Sequence, residues 1–448
     1  MLTKDELANI GVLDFQIYLN SLSVTDILIG NGFSINLCER LMYDSLCDLF
    51  NKSASNEIKA ILLTALMSLC LTGSQAEEKT AAEEDQPQKI VTFVKEEHEP
   101  SWYAKQAALW KAETERNPND EDAWWYYYQA TRYKLLFADE TDDYSPLADI
   151  FSEVEKALPN SFPYYLIKNM NSRFIAPDEE ALDGMMKAIR MRPDAVNFYN
   201  DYVVCLMTKG DEEMLEDILK RWYDSGTFSA NLLNYSYNAL AGIEDHAILF
   251  VNGDTPTYSS LIVQYGKNLF RQTKIICTSL LFDKRYCQVV CRELGVEPIP
   301  FPTDAQSQAD YDHWLEEMEL RIIHETGRPA YFSTMMELPS FQDKLYSEGL
   351  VFRYSEKRYD NLALKQRNYE HRYLTDYLYE SFVPETYEAS AYRHNLNYIP
   401  TFKSLLDWYK EHDKRRYKEL YSMMMTIVRK TPGLTDEKRK EYYDEINR

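Results

Sequence analysis

The chain has 448 residues, of which 45% are apolar and 27% are charged, and its formal net charge is −23. This length and composition allow two or three globular domains, each with its own core. The acidic balance excludes a nucleic-acid partner, because phosphate contacts need a basic surface, and it argues equally against a polybasic contact with anionic lipid. The seven cysteines show neither C-x-x-C nor Cys/His zinc spacing, so we predict no disulfide framework, no metal and no cofactor.

Residues 1–57 predict a strand, a glycine-rich turn and a helix. The turn reads Gly30-Asn-Gly-Phe-Ser34 and follows directly on the strand pattern of residues 25–29. It resembles the opening of sirtuin-like nucleotide-binding proteins, in which such a turn begins a Rossmann-like domain. The resemblance implies nucleotide binding at Gly30 to Ser34. No second βα unit follows, which favours an ordinary strand–turn–helix segment or a fused or mis-extended start.

Residues 58–76 have the pattern of a secretory signal peptide. Lys59 precedes an apolar run of twelve residues, and Ser74 and Ala76 give a small-x-small ending. The run is too short to cross a bilayer comfortably, so we predict no stable membrane span. Because signal peptides begin chains, the alternative is a buried amphipathic helix of a cytoplasmic protein. The signal interpretation predicts a location in the periplasm or the cell envelope.

Residues 77–100 are acidic and polar, apart from a short apolar run over residues 90–94. A segment with so little to bury is predicted to be a solvated linker.

Residues 101–243 predict successive helices separated by proline and glycine signals. The first ends at Asn117-Pro118, and the next begins at Asp120 or Glu121. The later helices are predicted over residues 147–158, 162–170, 179–190, 196–207, 212–223 and 229–240.

The spacing of three prolines indicates a repeat. Pro118, Pro159 and Pro193 are 41 and 34 residues apart, and 34 residues is the tetratricopeptide period. Six residues after each proline stands an aromatic residue: Trp124, Tyr165 and Tyr199. The region therefore resembles tetratricopeptide repeats, which implies a helical solenoid with a concave side.

Five consecutive aromatic residues, at positions 124–128, lie in the second of these helices. They cannot all face one side of a helix. The favoured interpretation is core packing between helices, and the alternative is that part of the set forms a binding surface for a peptide or a glycan. The candidate surface residues are Trp124, Trp125, Tyr127 and Tyr128.

Residues 244–360 predict an α/β module, because strand and helix patterns alternate. Strands are predicted over residues 247–251, 273–278, 297–300, 329–332 and 350–354. Helices are predicted between them, over residues 259–270, 284–294, 311–324 and 341–346. This alternation predicts a mainly parallel sheet.

The stretch that follows the first of these strands holds the candidate ligand site, since ligands bind at the carboxyl ends of parallel strands. The candidate residues are Asn252, Gly253, Asp254, Thr257 and Tyr258. The stretch resembles a motif in the soluble C-terminal region of a bacterial (Bacteroidetes-type) envelope family related to protein O-mannosyltransferases. That motif has two acids, and Pro256 replaces the second one here, which weakens a metal-binding or acid–base role. The favoured role of Asp254 is therefore to cap the next helix, which is compatible with a ligand site at the same turn.

Residues 361–448 predict a tyrosine-rich helical tail. The predicted fold class is thus mixed α and α/β: a tetratricopeptide-like helical solenoid, a mainly parallel α/β module and a helical C-terminal tail. The predicted function is an exported envelope or periplasmic interaction protein, a scaffold that binds a protein or glycan partner through its repeats. Two alternatives remain: a carbohydrate-related enzyme with its site at Asn252 to Tyr258, and a nucleotide-binding protein that uses Gly30 to Ser34.

Overall fold

The computed structural model describes residues 86–92, 95–96, 98–138, 143–175, 179–302, 307–334 and 339–448. The chain divides into two units, Met1–Gln88 and Lys89–Arg448, and the described residues lie almost entirely in the second. The Gly30 to Ser34 turn and the signal-peptide-like residues 58–76 lie outside the described residues. Among the described helices, none has the length and apolar character needed to cross a lipid bilayer.

The first part of the second unit consists of helices that pack against one another in chain order. They are α1 (Pro100–Arg116), α2 (Glu121–Leu136), α3 (Ser145–Ala157), α4 (Phe162–Ile175), α5 (Glu179–Met191), α6 (Tyr199–Lys209), α7 (Glu212–Asp224) and α8 (Ala230–Gly242). Helix α1 packs on α2, α3 on α4, α4 on α5, α5 on α6 and α6 on α7. The positions of the predicted helices are confirmed, with ends that differ by a few residues.

Short capped turns separate these helices. The Asp120 carboxylate accepts the backbone N–H groups of Asp122 and Ala123, both at 3.0 Å, and so begins α2. Gly210 ends α6 with a φ of +69°, in the left-handed region that favours glycine. Helices that are joined by such short turns and pack together run antiparallel.

The next part of the chain forms a five-stranded mixed sheet with the strand order β2-β1-β3-β5-β4. The strands are β1 (Ile248–Val251), β2 (Lys274–Cys277), β3 (Ala330–Ser333), β4 (Leu345–Ser347) and β5 (Val351–Tyr354). Strand β1 is fully buried and parallel to β2 and β3. Helix α9 (Asp254–Leu261) and a π-helical turn (Ile262–Gly266) lead from β1 to β2, and α10 (Lys284–Leu294) and α11 (Gln308–Thr326) lead from β2 to β3.

The sheet differs from the predicted one in three respects. Residues 297–300 form no strand, because Pro298 and Pro300 lack the N–H groups that a sheet ladder needs. Residues 341–346, predicted as a helix, contain only a short 3-10 helix, Gln342–Lys344, and then the start of β4, which forms a hairpin with β5. Strand β5 runs antiparallel to both β3 and β4, so the sheet is mixed rather than mainly parallel.

The tail is helical, as predicted, and its helices pack on the repeats and the sheet. They are α12 (Asn361–His371), α13 (Glu388–Asn395), α14 (Tyr398–His412), α15 (Lys414–Lys430) and α16 (Asp436–Asn447). Two buried amides join the regions. The Asn238 amide of α8 donates to the Leu374 carbonyl at 2.8 Å, and the Asn368 amide of α12 donates to the carbonyls of Gly242 and Glu348 at 3.1 and 2.7 Å. Since buried amides require such partners, the repeats, sheet and tail are held in one arrangement.

The contact between α7 and the turn after α9 can be tested at Gly266. A Cβ atom on Gly266 would lie 2.6 Å from the Tyr223 Cβ atom, so Gly266→Ala forces α7 away from α9. We expect a loss of about 1–3 kcal/mol in the free energy of unfolding, measured by urea denaturation. Gly226→Ala is the control. Gly226 has a φ of +64° but an open Cβ position, so only backbone strain of about 1 kcal/mol is expected. A smaller loss for Gly266→Ala than for Gly226→Ala would contradict the close contact.

Candidate functional site

A cavity of about 300 Å³ lies where the repeats meet the α/β part of the chain. Its walls come from α2, the turn before α6, the C-terminal end of α7 and the first turn of α9. Tyr387, directly before α13, closes one side. The volume is at the lower limit of small-molecule pockets, and the walls belong to elements that are distant in sequence.

Aromatic rings form much of the cavity wall. The Trp125 and Phe198 ring centroids lie 4.9 Å apart in an edge-to-face arrangement. A second group of lining rings surrounds Trp222, whose ring centroid lies 5.2 Å from that of Phe228 and 5.4 Å from that of Tyr258. Such pairs fix the ring positions, so the wall is preformed.

Charged side chains complete the helical part of the lining. They are Arg132, Arg192, Asp122, Asp201 and Asp254. Arg192 pairs with Glu121 and lies over the Phe162 ring, 4.4 Å from its centroid. Asp201 is only 5% exposed. Apart from Lys89 and Lys95 of the segment before α1, three carboxylates and two guanidinium groups line the cavity. A basic group would offset this small acidic excess.

The segment just before α1 forms the remaining side of the cavity. Residues 89–92 and Lys95 line it, and residues 89–92 have neither helix nor strand structure. The Ile90 side chain is 6% exposed and packs with Tyr103, Ala130 and Tyr133 of α1 and α2. Residues 77–100 were predicted to be a solvated linker, and Ile90 departs from that prediction because an apolar pocket buries it.

Lys95 lies at the other end of this segment. Its Nζ atom is 5.1 Å from the centroid of the Tyr387 ring, within the range of a cation–π contact. Burial lowers the pKa of Lys95. Burial also raises the pKa of the Tyr387 phenol, and the carboxylates of Glu385 and Asp254 raise it further. The segment is therefore held at two points, by an aliphatic anchor and by a cation.

Of the five ligand residues predicted after β1, the structure places Asp254 and Tyr258 at the cavity. Asn252, Gly253 and Asp254 are exposed, whereas Thr257 and Tyr258 are buried. The Thr257 hydroxyl donates to the Gly253 carbonyl at 2.6 Å, and the Tyr258 hydroxyl donates to an Asp254 carboxylate oxygen at 3.2 Å. Asp254 is not the helix cap, because α9 begins at Asp254 itself and Gly253 occupies the N-cap position.

Helix α8 lies across the carboxyl edge of the sheet, where an open α/β sheet would bind a ligand. The Tyr235 hydroxyl is 2.7 Å from the Thr334 hydroxyl, one residue beyond β3. The Ser236 hydroxyl is 2.6 Å from the Ser259 hydroxyl of α9. Because Tyr235 is 1% exposed, this part of the crevice is filled by protein.

The four repeat-surface candidates separate into two groups. Trp125 lines the cavity, whereas Trp124, Tyr127 and Tyr128 do not. The Trp124 indole donates to the Pro118 carbonyl at 2.9 Å, and the Tyr128 side chain is fully buried in the core. Core packing between helices thus accounts for Trp124 and Tyr128, and Tyr127 is half-buried.

Sequence reasoning missed most of the cavity. Among the residues not predicted are Phe198, Trp222, Phe228, Tyr387, Arg132, Arg192 and Lys95. One usable signal was present, namely the apolar run over residues 90–94 within an acidic stretch. Because solvated linkers contain few apolar residues, such a run indicates a segment that packs against another part of the protein.

Comparison with known proteins adds little to this geometry. No family model matches the chain, and no curated protein matches it. The crystal structure of yeast Tom70 matches at 10% sequence identity with a TM-score of 0.24, covering 91% of this chain and 78% of that one. A TM-score this low carries no argument, so the function must be argued from the chain's own residues.

The role of Asp254 can be tested against a true helix cap. Asp120 caps α2 through two backbone N–H groups, so Asp120→Ala should lower the free energy of unfolding by about 1 kcal/mol. Asp254 is the first residue of α9 and not its N-cap, and Asp254→Ala should cost about 0.5 kcal/mol through the helix dipole. Urea denaturation of both variants measures the difference. An equal or larger loss for Asp254→Ala would contradict this assignment.

Proposed function

We propose that this protein is an interaction protein whose helices α1 to α8 form a tetratricopeptide-like solenoid and bind a peptide segment of a protein partner. The observation that carries the proposal is the cavity between α2, α6, α7 and α9, lined by aromatic rings and a few charged groups. Apolar walls with a small number of polar groups are typical of binding sites. Stacked helix pairs provide the concave surface on which such segments bind.

The size and composition of the cavity favour a peptide. About 300 Å³ admits one or two side chains of a segment, but not a second folded domain. Trp125 and Trp222 provide aromatic surface of the kind that dominates protein interfaces. Asp122 and Asp254 add exposed carboxylates at the rim. A segment with an apolar side chain and a neighbouring basic one would satisfy both parts of the lining.

A glycan is the second candidate partner, because the same rings and carboxylates could hold a sugar. An exported, envelope or periplasmic setting for the partner is also part of the proposal. The support for that setting is the pattern of residues 58–76, which lie outside the described residues. The enzyme alternative has less support, since Thr257 and Tyr258 donate to protein acceptors and α8 covers the carboxyl edge of the sheet.

Selection from a phage-displayed random peptide library tests the proposal. Asn197 lines the cavity and is exposed, so Asn197→Arg places a long cation in it. Selected peptides should bind Asn197→Arg at least about tenfold more weakly, since the cavity is filled and its charge changed.

Asn119→Arg is the matched control, because Asn119 is an exposed asparagine outside the cavity. It should leave peptide affinity unchanged. Equal losses for both variants, or no loss for either, would contradict a peptide site in this cavity. A glycan partner would be indicated by a different result. The protein would bind a glycan on an array, Asn197→Arg but not Asn119→Arg would abolish that binding, and no peptide would show the same dependence.

A further inference from the structure

The segment before α1 occupies the rim of the cavity in the way that a bound peptide would. Ile90 is buried against Tyr103, Ala130 and Tyr133, and Lys95 lies over the Tyr387 ring. Residues 89–92 belong to no helix and to no strand of the sheet. Side chains rather than a backbone ladder therefore fix the segment, which is how a groove holds a short linear ligand.

Charge also matches the segment to the cavity. Residues 81–99 contain two lysines, Lys89 and Lys95, and both line the cavity. The acids of the same stretch are Glu83, Glu84, Asp85, Glu96, Glu97 and Glu99. Apart from this segment, the cavity lining contains three carboxylates, those of Asp122, Asp201 and Asp254. It contains two guanidinium groups, those of Arg132 and Arg192. Two basic positions of an otherwise acidic stretch thus lie against acidic groups of the helices.

We infer that residues 89–92 together with Lys95 are a resident ligand of the cavity, that the partner carries a β-branched aliphatic residue five positions before a basic one, and that the partner binds by displacing this segment. The inference rests on the proposed function and specifies its partner and its regulation. Ile90 and Lys95 define the two positions. Between them, the Lys95 N–H donates to the Thr92 carbonyl at 2.9 Å, which forms a turn and brings the cation back towards the cavity.

Tethering makes the resident segment an effective competitor. A segment joined to its own site has an effective concentration of about millimolar. A free peptide therefore binds only the fraction of molecules whose cavity is open, and its apparent affinity falls by that fraction. Weakening the resident segment should raise the affinity for a free peptide without any change in the part of the cavity wall that the helices provide.

The test uses a fluorescent peptide with the sequence of residues 89–98, titrated into the full chain by fluorescence anisotropy. Ile90→Asp places a charge in the apolar pocket and should release the resident segment. The peptide should bind this variant at least about tenfold more tightly than the unmodified chain. Leu136→Asp is the matched control, since it adds the same charge at an aliphatic side chain that is 44% exposed and lies outside the cavity lining, and it should leave the affinity unchanged.

A second variant covers the case in which Ile90→Asp does not fold. Lys95→Glu removes the cation from the Tyr387 ring and should raise peptide affinity by about threefold to tenfold. A peptide that itself carries Ile90→Asp should bind none of the chains. Equal peptide affinity for the unmodified chain, Ile90→Asp and Lys95→Glu would overturn the inference.

The result also separates this inference from the proposed function. If the 89–98 peptide fails to bind Ile90→Asp and Lys95→Glu while library peptides bind in an Asn197-dependent way, the inference is overturned and the proposed function stands. If neither kind of peptide binds any folded variant, both are overturned.

Discussion

The contact between Trp222 and Tyr258 is the constraint on which the cavity depends. Trp222 is 4% exposed at the end of α7, and its ring contacts those of Tyr199, Phe228 and Tyr258. This packing fixes the last repeat helices against the first turn of α9, which follows the central strand. Because interiors are densely packed, a shift of α9 cannot be absorbed locally, and it would alter the cavity wall that Asp254 and Tyr258 provide.

The same packing changes the role of the α/β part. In an open sheet of this kind, the carboxyl ends of β1 and β3 would form a ligand crevice. Here Tyr235 and Ser236 of α8 contact Thr334 and Ser259 at that edge, so the sheet supports the repeats. The turn from Asn252 to Asp254 remains exposed, and Asp254 lines the cavity shared with α2 and α6. The sequence predicts a ligand site formed by this strand–turn–helix alone, whereas in the structure it forms one wall of a larger cavity.

Short sequence patterns predicted the elements whose formation depends on neighbouring residues. The repeat helices were predicted from their caps and apolar spacing, and β1 and β2 from their apolar runs, because these features depend on neighbouring residues. Strand β4, with residues 345–347, has half-buried side chains and depends on pairing with β5, which no short window reveals. The cavity could not be predicted for the same reason, since Trp222, Phe198 and Tyr387 come together only when the chain folds. Burial of Ile90 depends on α1 and α2, although the apolar run around it was visible.

Hydrogen–deuterium exchange of the full chain, with and without a peptide selected from the library, tests the central claim most directly. Bound peptide should slow amide exchange in α2 and in residues 196–198, which line the cavity, because bound surfaces open less often. At the same time it should speed exchange in residues 89–92, which it displaces. Slower exchange on some other surface, with α2 and residues 89–92 unchanged, would contradict the account.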